Sequence, residues 1–275
     1  FCYIPIYGIT LAFREFRFDK GIWGSPWVGT RYLMQFFTSF DFWKIIWNTV
    51  FISSLKIILG FPAPIILALM LNEVRNVAFK KTIQTVSYLP YFVSWVVVIT
   101  LVTKFLTPYG GLINEIKVAL FGGEPIFFMG ERAYFYPLVV LTDIWKNAGW
   151  GSIIYLAALT GINPELYEAA IIDGAGKWKS LIHITLPCLR PTMGIIFILS
   201  IGNLMRAGFD QIYLMQNPAI IDISEILDTH VLKMGIRQGK FSYASAVGLF
   251  QSVISFILIV IANRISRKTT EISLW

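Results

Sequence analysis

Five apolar runs constrain this chain more than any other feature. They extend roughly from Ile45 to Leu71, Gln84 to Leu106, Tyr134 to Thr160, Leu189 to Gly208 and Ala244 to Ile265. Each is near the ~20 residues that an α-helix needs to cross the hydrocarbon core of a bilayer. Backbone inside that core must satisfy its own N–H and C=O groups, which leaves helices or closed barrels. The runs are continuous and lack the alternation of a barrel strand. They predict an all-α integral membrane protein. Composition agrees, with 56% hydrophobic and only 14% charged residues, unlike a soluble domain. The opening run, Phe1 to Phe13, is too short to span and has no basic region before it. It reads as the back half of a further helix, not a signal peptide. Six helices result, the first truncated. No repeat or low-complexity linker divides the chain, so residues 1–275 read as one domain.

The formal charge of +7 could suit nucleic acid. In a membrane chain, retention of Lys and Arg on cytoplasmic loops accounts for it better. Arg75, Lys80 and Lys81 follow one span. Lys177 and Lys179 lie between two others, and Arg264, Arg267 and Lys268 follow the last. All three clusters fall on one side of a six-helix topology, predicted to be cytoplasmic. The two cysteines, Cys2 and Cys188, lie in or beside apolar segments and read as free thiols.

One water-facing stretch interrupts the apolar pattern, between the third and fourth complete runs. "GINPELYEAAIIDGAGKWKSLIHITLP" (161–187) opens with Asn163, a good N-cap, and Pro164, suited to the first helical turn. Glu165 and Glu168 follow near the positive end of a short helix. Gly174 can end that helix in a left-handed cap. A second short helix is expected from about Lys177 to Ile184, closed by Pro187. Leu166, Ala169, Ala170 and Trp178 supply its apolar contacts. Spacing alone is equally compatible with an ordinary interfacial loop.

The stretch resembles the EAA loop of bacterial ABC importer permeases. Glu168, Ala169, Ala170, Gly174, Ile184, Leu186 and Pro187 match every fixed place of that pattern. Other segments, among them "GFDQIYLMQNP" and "FSYASAVGLFQS", are similar to the oligosaccharide and polysaccharide branch related to the maltose-importer permeases. The resemblance implies a six-helix permease core in the bacterial cytoplasmic membrane. It also implies that residues 161–188 form a cytoplasmic coupling loop docking on an ATPase subunit. The implied partners are a second homologous permease, two ATPase subunits, an extracytoplasmic solute-binding protein and a carbohydrate. ATP and Mg²⁺ would be bound by the ATPase subunits. This chain has no Walker-type loop of its own, and Ser152 and His183 suggest no triad, so no catalytic residue is expected.

Charges inside membrane helices are costly and usually face a cavity or a partner. Lys56, Lys104, Asp143 with Lys146, and Arg206 near Asn203 stand out. Lys104 is near a helix end and can snorkel. Asp143 and Lys146, three apart, could pair with each other. Asn203 and Arg206 are expected one turn apart on one helix face. The resemblance makes Asp143, Trp145, Asn147, Asn203 and Arg206 candidate liners of the substrate path. Interfacial anchoring is an equal reading of the aromatics. Arg206 leaves an acidic oligosaccharide, such as a uronate fragment, open. The competing functions are a secondary transporter or channel, a membrane anchor for a soluble ATPase, and an importer of a non-sugar solute. The sequence shows no inverted repeat or membrane carboxylate chain of the first kind.

Overall fold

The computed structural model describes residues 4–270, with side chains from 7 to 268. Cys2 and the tail beyond Thr270 lie outside the described residues. A 3₁₀ helix covers Ile4–Phe13. Two isolated β-bridges, Arg14 to Trp27 and Arg17 to Gly21, close the loop that follows, and no strand occurs among the described residues. The principal helices are α1 (Phe42–Leu55), α2 (Pro62–Glu73), α3 (Val77–Phe92), α4 (Trp95–Leu106), α5 (Leu112–Phe121) and α6 (Arg132–Thr160). They continue with α7 (Pro164–Ile172), α8 (Lys177–Ser180), α9 (Leu186–Gly202), α10 (Phe209–Met215), α11 (Leu227–Leu232) and α12 (Phe241–Thr270).

The apolar runs map onto helices, with three departures from the expected pattern. Phe42–Glu73, Lys177–Gly202 and Phe241–Lys268 are long and apolar enough to cross a membrane. The run from Gln84 to Leu106 is a bent pair, α3 and α4, broken at Val93–Ser94. Pro90 lies just before that break and cannot supply a helical N–H. Helix α6 has 29 residues, ample length to span, but it carries Asp143 and Lys146 and is less apolar than those three. Finally, the fourth run stops being helical at Gly202 rather than Gly208.

Two prolines shape the long helices. Pro62 and Pro187 each follow a π-turn, Lys56–Gly60 and Leu181–Thr185 respectively. A proline ring clashes with the carbonyl four residues earlier. Widening the preceding turn moves that carbonyl aside and lets the helix continue. Pro187 therefore does not close a separate short helix as expected. The segment from Lys177 runs on as one 26-residue helix to Gly202.

The chain divides into two compact units. The first comprises Phe1–Ser54, Trp95–Val139 and Gly202–Leu258, and the second Leu55–Ser94, Val140–Ile201 and Ile259–Trp275. The first is built around buried Phe36, Ile45, Met205, Leu227, Tyr243 and Val247. The second is built around Ile65, Ala68, Tyr155, Leu159 and Leu189. Within the second unit, α6 crosses α3 at Gly149. A Cβ there would lie 1.9 Å from the Ser87 carbonyl oxygen, so only glycine permits the approach.

Candidate functional site

The water-facing stretch folds as a rigidly capped knob in the second unit. Asn163 accepts from the Glu165 N–H at 3.1 Å, and its amide donates to the Glu165 carboxylate at 3.0 Å. Helix α7 ends in a Schellman motif. Ala175 N–H donates to the Ala170 carbonyl at 2.8 Å and Gly174 N–H to the Ile171 carbonyl at 3.0 Å. Gly174 sits at φ +74°, in the left-handed region that favours glycine. Both termini of α7 thus satisfy their free backbone groups locally, without needing a packed neighbour.

One contact braces the knob internally and one joins it to α2. The Tyr167 hydroxyl meets Thr185 Oγ1 at 2.9 Å, joining α7 to the π-turn. Lys177 Nζ lies 2.6 Å from Glu73 Oε2 at the end of α2. Between them is a cavity of about 640 Å³ walled by Ile66, Leu69, Met70, Ile171 and Leu181.

The outward face is apolar. Ile172 is 85% exposed, and Trp178 and Ile171, which also border the cavity, are 76% and 71% exposed; Leu166 is exposed on another side of α7. Trp178, although mostly exposed, borders the cavity beside Ile171 and Leu181. Glu168, Ala169 and Gly174 are exposed, while Ala170, Ile184, Leu186 and Pro187 are half-buried. Exposed apolar side chains on so short a capped helix mark contact with a protein or with lipid.

The candidate path residues of the second unit lie on α6. At 100° per residue, Asp143, Lys146, Asn147 and Trp150 fall on one face, and Trp145 lies about 200° from Asp143. Asp143 does not pair with Lys146. Its carboxylate lies 3.3 Å from Lys56 Nζ. Lys146 is buried and donates to the carbonyls of Pro90, Tyr91 and Val93 at 3.2, 2.7 and 2.5 Å. It thus caps the end of α3, where carbonyls attract a cation. The Tyr91 ring stacks on Trp150 with centroids 4.8 Å apart, and Lys146 lies 5.6 Å from the Tyr91 centroid. Sequence reasoning missed these pairings. A lysine in a membrane helix signalled an unusual site without revealing its partners.

Asn203 and Arg206 belong to the first unit and do not share a helix face. Helix α9 has ended, and they form a turn in which Arg206 N–H donates to the Asn203 carbonyl at 2.8 Å. Both are exposed. Gln251 stabilises the turn from α12, donating to the Met205 carbonyl at 2.8 Å and to Asp228 at 2.9 Å. Burial pushes the Asp228 carboxyl up, opposed by the Gln251 hydrogen bond and the Arg206 charge.

A second polar network in this unit also escaped the sequence reading. His230 lies 3.2 Å from Glu225 through Nδ1 and 3.2 Å from the Tyr243 hydroxyl through Nε2. Lys233 approaches the same carboxylate at 3.0 Å. The hydrogen bond from His230, and after it Lys233, holds the Glu225 carboxyl at about 2 against the burial that would raise it.

Comparison with known proteins is informative over nearly the whole chain. The family described as "Binding-protein-dependent transport system inner membrane component" matches residues 60–271. The polygalacturonan/rhamnogalacturonan transport system permease protein YteP of Bacillus subtilis (strain 168) is 45% identical over 271 residues, 98% of this chain and 84% of that protein. A crystal structure of a bacterial ABC transporter involved in import of the acidic polysaccharide alginate superposes with TM-score 0.90 at 36% identity, over 98% of this chain and 91% of that one. A bacterial alginate ABC transporter in complex with an alginate pentasaccharide-bound periplasmic protein superposes with TM-score 0.91 at 34% identity, over 100% and 91%.

Proposed function

Because the chain belongs to the family of binding-protein-dependent transport system inner membrane components, and so is an integral membrane transport subunit rather than an enzyme, we propose that it is a permease for carbohydrate fragments, acidic ones included. It works in the bacterial cytoplasmic membrane beside a second homologous permease and two ATPase subunits. An extracytoplasmic solute-binding protein delivers the substrate. ATP and Mg²⁺ are held by the ATPase subunits, and the chemistry of hydrolysis is theirs. Relatives named for polygalacturonan and alginate transport support a uronate oligomer as cargo. The exposed Arg206 could meet a carboxylate of such a chain.

The observation that carries this reading is the capped knob with its exposed apolar face. Residues 161–188 would dock on an ATPase subunit, and closure of the ATPase pair would be transmitted through α7 and the helix that continues from Lys177. Rigidity matters, because a frayed helix would absorb the motion. The Schellman cap and the Tyr167–Thr185 contact supply that rigidity. Within the second unit, Asp143 and Asn147, which share a face of α6, are the candidate contacts with the sugar chain.

An Ile172→Asp variant tests the docking role. Ile172 is 85% exposed, so the change costs the isolated fold little, while a charge buried at an interface is expensive. In the reconstituted complex, uptake of galacturonan oligomers should fall at least tenfold, or the ATPase subunits should dissociate. Full uptake with intact assembly would refute the docking role. Uptake of neutral oligomers with none of acidic ones by the unaltered complex would refute the acidic cargo.

A further inference from the structure

We propose that the loop from Phe13 to Val28 is an in-plane anchor that seats in the headgroup–acyl boundary of the bilayer. The loop is ordered from within. Arg14 donates to the carbonyls of Trp23 and Ser25 at 2.8 and 3.0 Å. Its guanidinium lies 5.8 and 5.6 Å from the rings of Trp23 and Trp27. Phe13 stacks on Trp27 at 5.4 Å. Ser25 Oγ accepts from the Arg17 N–H and donates to the Gly21 carbonyl. Yet Phe18, Trp23 and Trp27 remain 80%, 67% and 62% exposed. Each ring packs one side on a neighbour and leaves the rest exposed, and exposed apolar surface of this kind marks contact with a membrane or a protein.

Its position indicates what covers them. Phe16 N–H donates to Ser242 Oγ at 3.0 Å, and the rings of Phe16 and Phe18 contact Phe241 at 5.8 and 5.7 Å. Phe241 is the first residue of a 28-residue spanning segment. At 1.5 Å per residue that segment is about 42 Å long, against a hydrocarbon core of about 30 Å. A centred helix therefore begins about 6 Å outside the core, in the layer that Trp and Tyr prefer. Another span begins at Phe42, and its first turns carry Trp43 and Trp47, 78% and 66% exposed. Exposed aromatics thus accumulate where two spans start. Arg17 and Lys20, exposed on either side of Phe18, can donate to lipid phosphates while their stems lie along the interface.

Two measurements on the assembled complex, reconstituted in phosphatidylcholine–phosphatidylglycerol vesicles, decide the matter. The first places a nitroxide at Phe18→Cys or Trp23→Cys in a Cys2→Ser, Cys188→Ser background. Its accessibility to oxygen should exceed that to a water-soluble nickel chelate. The second needs no label: Trp23→Phe with Trp27→Phe should reduce tryptophan quenching by shallowly brominated lipid more than by deeply brominated lipid. Labels open to nickel, with quenching unchanged in the double variant, would overturn the anchor. So would labels that the solute-binding protein, rather than lipid, shields, since the face would then be a protein-docking surface.

Discussion

Replacing Lys146 with Met separates a helix-capping lysine from a transport lysine. Lys146 is buried and gives three hydrogen bonds to carbonyls where α3 ends. The Pro90 carbonyl also accepts from Val93 N–H at 3.2 Å, so two bonds carry most of the effect. A hydrogen bond to a charged group contributes about 1.5–3 kcal/mol, giving on the order of 3–6 kcal/mol for two. Methionine removes the desolvation cost of a buried ammonium, which offsets part of that. The expected net loss is about 2–4 kcal/mol, a fall of several degrees in the denaturation midpoint of the purified complex in detergent. Lys146→Arg keeps a cation that can reach the same carbonyls and should recover about half the loss. Near-normal uptake per folded complex should survive in Lys146→Arg. A Lys146→Met complex as stable as the unaltered one would refute the capping role. So would stability lost equally in Lys146→Arg and Lys146→Met.

Further outcomes follow from the same geometry. Gly174→Ala has open space around the added Cβ but imposes a left-handed conformation costing about 1–2 kcal/mol; ATPase activity in the reconstituted complex should become less tightly coupled to uptake. Asn163→Ala removes the α7 N-cap, and protease cleavage within 161–176 should accelerate in line with a loss of about 1 kcal/mol. Asp143→Asn takes the counter-charge from Lys56 and should destabilise by about 3–5 kcal/mol, whereas Lys56→Met with Asp143→Leu should recover most of this in a thermal-stability assay. Glu225 is held at about 2 instead of 4.5. Its folded pKa is depressed, so its contribution, on the order of 3 kcal/mol, is present above pH 4.5 and is lost as pH falls towards 2. Denaturation midpoints of the unaltered chain should drop through that window, and Glu225→Gln should flatten the profile.

The knob was the most legible part of the candidate site. Asn163, Pro164 and Gly174 act on backbone groups within a few residues of themselves, so a short window of sequence contains the whole interaction. The end of α9 was misread for the opposite reason. Asn203 to Gly208 continues an apolar run, yet the Met205 carbonyl is taken by Gln251 of a distant helix instead of a helical N–H. The α3–α4 break was half legible. Pro90 marks a weak point, while hydropathy runs through it without change. Asp143 and Lys146 were three apart on one helix and looked like natural partners. Each instead found a group on another segment of the second unit, Lys56 for one and the α3 carbonyls for the other.

The sequence by itself determined that the chain enters a membrane, that it is helical there, and where its short water-facing helix starts and stops. These outcomes rest on transfer of the backbone into hydrocarbon and on local capping, both properties of consecutive residues. Tertiary structure alone decided which buried charge meets which partner and which aromatics stay exposed. Each residue turns a helix face by 100°, so a small change of register or crossing exchanges the neighbours of every side chain. Gly149 sets one such crossing, because only a missing Cβ lets α6 approach Ser87 closely. That approach goes with the placement of Trp150 on Tyr91 and of Lys146 on the end of α3, contacts between residues that nothing in the local sequence connects.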